Sequence, residues 1–256
     1  MRLGFIGVGT IAKAIIDGLM HSDIILESVV LSPRNNTVAE ALKQSYQKIT
    51  VAKNNQEVVS SSDIIFLCTP SQNTKEVLKE LSFKSDQILV SLVAMANKAE
   101  IEEWSGYAAS VYRAVPLPFV AEGKGVTPLY PACDVLKVIF DALGGTIILE
   151  KEDDFSLYLL AGSMMGIYYR FMGACQDFLE EQGLEKEAST IYLAKMFYQL
   201  AHVMDKREVP DFLSLQKEYS TPGGTNALLA QSFEKYGGIE ILKRSAVEAL
   251  QHIKRC

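Results

Sequence analysis

The chain has 256 residues, 48% of them hydrophobic and 22% charged, with a net charge of −6 and a pI near 5.2. That length suits two units, the composition is that of a globular protein with material for a core, and the acidic balance without a basic stripe excludes nucleic acid as the expected partner. Cys68, Cys133, Cys175 and Cys256 lie far apart with no C-x-x-C pair, which excludes a disulfide scaffold and leaves no metal site to expect.

The opening Met1-Arg2 runs straight into Leu3-Gly4-Phe5-Ile6-Gly7, which reads as a strand and turn rather than a signal peptide, so a cytoplasmic location is expected. Residues 2–6 read as a strand and 11–20 as a helix, with Ile11, Ile15 and Leu19 at helical spacing. Residues 28–32 are a β-branched run, 36–45 a helical pattern, and 63–69 a third strand ending at Pro70. Further strands are expected at 87–92, 109–113 and 146–149, with helices at 74–81, 99–104 and 132–143. Strands alternating with helices of this size predict a parallel sheet covered on both faces, so the fold class is α/β, with a Rossmann-type domain over residues 1–150. Beyond Glu150 the pattern changes. Residues 154–182, 186–206 and 227–254 carry helical periodicity and nothing strand-like, so residues 151–256 are expected to form an all-α domain. The most membrane-like stretch, 157–169, ends at Arg170 well short of the roughly 20 apolar residues needed to span, and no membrane contact is expected.

The sharpest local signal is Gly7-Val8-Gly9-Thr10-Ile11-Ala12, a G-x-G-x-x-A string between an expected strand and an expected helix. Gly7 permits the tight turn, Gly9 lets a pyrophosphate approach the backbone, and Ala12 allows close helix–strand packing. The helix start at Thr10, Ile11 and Ala12 supplies free N–H groups and a positive dipole end. A purely structural glycine turn is the competing reading. At the end of the second strand, where an NAD enzyme presents Asp or Glu, stands Ser32-Pro33-Arg34-Asn35-Asn36. No carboxylate repels a 2′-phosphate there, Arg34 offers a planar fork and Ser32 a hydroxyl. NADP(H) is therefore the expected coenzyme and NAD(H) the alternative; a solvated turn that contains an arginine is the plainer explanation.

Ligands of an open parallel sheet lie beyond the carboxyl ends of its strands. The segments Cys68-Thr69-Pro70-Ser71-Gln72, Leu92-Val93-Ala94-Met95-Ala96 and Arg113-Ala114-Val115-Pro116-Leu117-Pro118 are thus expected to face the nicotinamide, through Thr69, Pro70, Ala94 and Pro116. In the helical half, Ser220-Thr221-Pro222-Gly223-Gly224-Thr225-Asn226 precedes an apolar-periodic segment. Unpaired N–H groups there, with the Ser, Thr and Asn side chains, form a neutral nest suited to a carboxylate. Ordinary N-capping explains the same residues. Histidine is limited to His21, His202 and His252, none near a Ser or Cys motif, which disfavours a Ser–His or Cys–His nucleophile. Chemistry that asks mainly for positioning, such as reduction of a cationic imine by a cofactor's hydride, fits better.

From Met1 to the C-terminus the order of these strings resembles pyrroline-5-carboxylate reductase, the family whose NAD(P)H-dependent reduction of a cyclic imine closes proline synthesis. Gly4-Phe5-Ile6-Gly7-Val8-Gly9 is similar to the family's opening, and Ser32 and Arg34 fall where members favouring NADPH carry such residues. Arg113 to Pro116 resembles its Arg-x-Met-Pro-Asn loop, Gly123-Lys124-Gly125-Val126-Thr127 its Gly-Glu-Gly-Val-Thr, and Thr221 to Thr225 its Ser-Pro-Gly-Gly-Thr signature. The resemblance implies a homodimer through the helical domain, in some members a higher oligomer of dimers, with the substrate site at that junction. It implies a substrate carboxylate held at Ser220, Thr221, Gly223 and Gly224, with Thr225 and Asn226 next to the reacting ring. The departures lie mostly in the substrate half. Leu117 stands where the family has Asn, Asn226 where it has Thr, and Tyr158 to Ile167 keeps only one glycine and one serine of the family's helix motif. Three readings follow: reduction of 1-pyrroline-5-carboxylate to L-proline, reduction of a different imine or a keto or hydroxy acid, and a non-catalytic dinucleotide-binding paralogue.

Overall fold

The computed structural model describes residues 1–255. The chain opens with β1 (Arg2–Ile6), α1 (Thr10–Met20), β2 (Ser28–Leu31), α2 (Asn36–Ser45), β3 (Ile49–Val51) and α3 (Asn55–Ser60). It continues through β4 (Ile64–Leu67), α4 (Ser71–Lys79), β5 (Ile88–Ser91), α5 (Lys98–Trp104) and β6 (Ser110–Ala114). After a 3-10 turn at Pro118–Glu122 come β7 (Thr127–Tyr130), α6 (Asp134–Asp141) and β8 (Thr146–Ile148). These strands form one eight-stranded sheet in the order β3-β2-β1-β4-β5-β6-β7-β8.

From β3 to β6 every pairing is parallel, as the alternating sequence predicts, whereas β7 pairs antiparallel with β6 and β8 follows β7. The sheet is thus parallel as expected except for the one antiparallel pair at β6–β7. The missed strand is Thr-Pro-Leu-Tyr, whose Pro128 argues against a strand from sequence; its carbonyl accepts Val115 N–H at 3.1 Å, a bond that needs no proline donor. β3 and α3 also escape sequence reading because three and six residues carry no period.

Alternate residues along each strand feed two hydrophobic layers. Leu3, Phe5, Ile64, Phe66 and Val90 enter one, with α1 and α6, while Ile6, Ile65, Leu67 and Leu89 enter the other. Phe5 stacks on Phe66 at 4.8 Å, and Phe66 meets Phe140 of α6 edge-on at 6.4 Å. β1 and β4 are apolar on both faces because both are covered. α1 presses so closely on the 3-10 turn that a Cβ at Gly18 would run into the Val120 carbonyl.

Residues Met1–Leu159 make one compact unit and Leu160–Arg255 a second. The second unit holds most of α7 (Phe155–Glu181), then α8 (Lys186–Asp205), α9 (Phe212–Glu218), α10 (Thr225–Lys235) and α11 (Gly238–Arg255). The expected single helix over 227–254 is two, parted at Gly237, whose φ of 82° is left-handed. Among its described residues only Leu193 and Leu215 are buried hydrophobics, while Tyr169, Tyr192, Leu228 and Leu229 are more than 60% exposed. A helical unit with so little buried and so much exposed apolar surface has the character of an interaction surface. No helix among the described residues is long and apolar enough to cross a membrane.

Helix propensity alone would make Gly18→Ala stabilising by about 1 kcal/mol. The approach of the Val120 carbonyl reverses that sign. Urea denaturation of Gly18→Ala is expected to show a loss of roughly 1–3 kcal/mol.

Candidate functional site

β1 has β2 on one side and β4 on the other, so the chain winds outwards to β3 and then returns across β1. Such a reversal opens a crevice beyond the carboxyl ends of the two strands. A cleft of about 310 Å³ occupies that place, lined by Gly7, Val8, Gly9, Ser32, Arg34, Asn35, Asn55, Cys68, Thr69, Pro70 and Asn73 among others.

The floor of the cleft is the turn after β1. Gly7 has φ +92°, and a Cβ there would lie 2.7 Å from the Cys68 carbonyl oxygen. Its N–H donates to Ser32 Oγ at 2.9 Å. Gly9 differs: its backbone is extended, with φ −97°, and a Cβ would meet nothing within 4 Å. Neither conformation nor internal packing demands glycine at position 9. What glycine provides there is open space over bare backbone, the room a diphosphate needs. α1 begins at the same point with no capping side chain and no acidic residue in its first turn. The first intrahelical bond goes from Lys13 N–H to the Gly9 carbonyl at 3.0 Å, so the amides of Thr10, Ile11 and Ala12 have no helical acceptor. They carry the positive end of the helix dipole towards the cleft. These residues fit a dinucleotide diphosphate.

The residues after β2 divide. Arg34 is exposed and lines the cleft. Ser32 is buried at 1% exposure with its Oγ taken by Gly7 N–H, so it acts as a brace for the glycine turn. Asn35, which the sequence reading passed over, donates from Nδ2 to the Val8 carbonyl at 2.8 Å and ties the β2 loop to the same turn. The signal was present in its residue type, since Asn favours such loop bonds, but its partner 27 positions away is a tertiary fact.

Beyond β4, Thr69 and Pro70 line the cleft; Thr69 Oγ1 is 2.8 Å from the buried Thr74 Oγ1, which donates to the Pro70 carbonyl at 3.1 Å. Burial pushes the Cys68 thiol up from its ordinary value, so it stands in the cleft as a neutral group. Ala94 and Pro116 are not among the cleft-lining residues: Ala94 is half-buried and Pro116 buried. The Ala94 carbonyl accepts Arg113 Nη2 at 3.2 Å. Arg113 is itself 6% exposed, pairs with Glu152 at 2.7 Å and lies over the Phe155 ring at 4.7 Å, fastening the loop after β5 from behind.

The second unit supplies a separate locus. Gly223 is left-handed at φ +75°, Gly224 N–H donates to the Thr221 carbonyl at 2.9 Å, and α10 starts from Gly224 with no side-chain cap. A Cβ at Gly224 would collide with Thr221 Oγ1, so the turn is packed around its second glycine. The first-turn amides at Thr225 and Asn226 are therefore presented as donors. Asn226 Nδ2 donates to the Tyr219 carbonyl at 2.7 Å, which commits that amide nitrogen to bracing the turn. Ser220 and Asn226 line a cavity of about 470 Å³ whose other walls include Tyr168, Phe197, Met204, Phe212 and Tyr219. No histidine lines either this cavity or the cleft.

Comparisons with known proteins divide along the same two halves. Residues 2–95 match the family described as NADP oxidoreductase coenzyme F420-dependent, and residues 155–256 match pyrroline-5-carboxylate reductase dimerisation. Pyrroline-5-carboxylate reductase 2 of Bacillus subtilis is 25% identical over 88% of this chain and 84% of its own length. Among solved structures, a pyrroline-5-carboxylate reductase from Coxiella burnetii superposes with a TM-score of 0.86 at 22% identity, covering 99% of this chain and 97% of that one. The pyrroline carboxylate reductase of Plasmodium falciparum, solved with NADP bound, gives 0.83 at 20% identity over 100% and 97%. These structural likenesses show the fold.

The two turn glycines are expected to behave differently. Gly7→Ala, which meets both a left-handed φ and the Cys68 carbonyl, is expected to lower stability by about 1–3 kcal/mol in urea denaturation. Gly9→Ala stays within about 0.5 kcal/mol of the parent in the same measurement.

Proposed function

The chain belongs to the pyrroline-5-carboxylate reductase family of NAD(P)-dependent oxidoreductases, and we propose that it reduces 1-pyrroline-5-carboxylate to L-proline with NADPH. The observation that carries this reading is the glycine turn at the switch point, where position 9 is bare without any internal need for it. A reduced nicotinamide, when bound, supplies the hydride that the imine carbon accepts. Gly7 and Gly9 hold the diphosphate against the first-turn amides of α1, and Arg34 faces the 2′-phosphate. Thr69 and Pro70 bound the cleft after β4, while Ala94 and Pro116 follow the next two strands on the nicotinamide side.

The turn from Ser220 to Gly224 receives the substrate carboxylate on backbone N–H groups, aided by the hydroxyls of Ser220 and Thr221. Thr225 and Asn226 stand beside the ring nitrogen; with the Asn226 amide nitrogen committed to Tyr219, its oxygen is the atom that meets an iminium N–H. The imine nitrogen brings or takes up one proton as the carbon gains the hydride, so no histidine is required. Holding the two reacting carbons about 3–3.5 Å apart contributes on the order of 7–11 kcal/mol to the rate, which makes positioning the main task of the protein.

Two copies pair through residues 151–256, a reading supported by the dimerisation match and by the exposed apolar faces of α7, α8 and α10. A second reading, reduction of a larger imine or a keto acid, draws on the aromatic and methionine walls of the cavity beside Ser220 and Asn226.

The assay follows loss of reduced-nicotinamide absorbance with 1-pyrroline-5-carboxylate and with a panel of other imines and keto acids. Turnover of the first is expected; turnover of another substrate alone would replace it with the second reading. Tight NADPH binding with no turnover at all would leave a binding protein. In the same assay Asn226→Ala is expected to lower kcat/KM by about tenfold or more, while the NADPH Kd measured by fluorescence stays unchanged. Sedimentation is expected to give a dimer, with a thermal midpoint that rises with protein concentration.

A further inference from the structure

The cleft at the switch point does not end at Arg34. Beyond it lies a second, polar cavity of about 470 Å³ lined by Pro33, Arg34, Lys53, Asn55, Gln56 and Glu80 among others. Arg34 and Asn55 line both, so the two adjoin at these residues. β2 and β3 pair in parallel with Leu31 opposite Val51, and the Ala52 N–H donates to the Leu31 carbonyl at 2.9 Å. The two strands therefore end level with each other. The loop bearing Lys53 leaves the sheet alongside the loop bearing Arg34.

Lys53 is held by its backbone and free at its tip. Its N–H donates to Glu57 Oε2 at 2.7 Å, which fixes the loop. The Lys53 ammonium and the Arg34 guanidinium are both exposed, and neither has a hydrogen-bond or ion-pair partner among the described residues. Two cations without a direct partner line one cavity in an acidic protein, an arrangement that favours a bound anion. Glu80, exposed at the end of α4, is the only carboxylate among the lining residues.

We propose that Lys53 is a second cation for the 2′-phosphate of the dinucleotide, acting beside Arg34 and setting the preference for the phosphorylated coenzyme. The inference rests on the dinucleotide reading of the cleft. A phosphate monoester presents three acceptor oxygens and close to two negative charges. A guanidinium fork serves two of those oxygens, and a lysine on the neighbouring loop supplies the third contact as a point charge. A 2′-hydroxyl has no charge for either side chain to neutralise, so the pair discriminates between the two coenzymes.

Fluorescence titration of NADPH and NADH against the parent, Lys53→Ala and Lys53→Arg tests this without any turnover. Lys53→Ala is expected to weaken NADPH by about tenfold and NADH by less than about twofold, with Lys53→Arg keeping most of the NADPH affinity. An unchanged ratio in Lys53→Ala, or equal loss of both coenzymes, overturns the inference while leaving the coenzyme reading intact. A parent protein that binds neither coenzyme overturns both.

Discussion

At the end of β1 the backbone turns through a left-handed residue, and the space a side chain would need at Gly7 is filled by the Cys68 carbonyl. The Ser32 hydroxyl closes the other side by accepting the Gly7 amide. Strands β1, β2 and β4 are thus locked together at one point, the point where the winding of the sheet reverses. Everything proposed for the cofactor follows from that crossing. It aims the uncapped start of α1 over the crevice and delivers Arg34 to its rim.

The second constraint is apolar surface with nothing of its own chain to cover it. α7 and α8 leave Tyr168, Tyr169, Phe171, Phe178, Tyr192 and Tyr198 exposed, with Phe155, Ser189 and Leu193 their only buried described residues. Exposed aromatic surface of this extent marks an interface. A second copy supplies that interface with symmetry, because each protomer offers the same faces it needs covered.

The two halves differ in how closely they keep to the motifs that the sequence resembles. In the sheet unit the glycine turn and the uncapped helix start have the chemistry the motif requires. The helical unit keeps the turn before α10 but carries Asn226 where the motif it resembles has a threonine, and in the sheet unit Leu117 stands where that resemblance expects an amide. Binding a carboxylate on backbone amides tolerates such changes, since the donors come from the main chain. Recognition of the rest of the substrate does not, because it depends on side-chain shape and on each buried polar group finding a partner.

The sequence by itself determined the alternation of strands and helices, the all-helical second half, and the glycine string that names the cleft. These are local: apolar period, chain length and the conformational freedom of glycine act within a few residues. Short elements such as β3, β7 and α9 were illegible because three to seven residues hold no period, and Pro128 argued against the strand it occupies. Only the tertiary structure decided that β7 reverses direction, that Ser32 braces Gly7 from inside, that Asn226 is tied to Tyr219, and that Lys53 leaves the sheet beside Arg34. Each of these depends on which strand lies next to which, or on where a turn folds back. Sheet order and side-chain partners join residues far apart in the chain, and no local pattern encodes that distance.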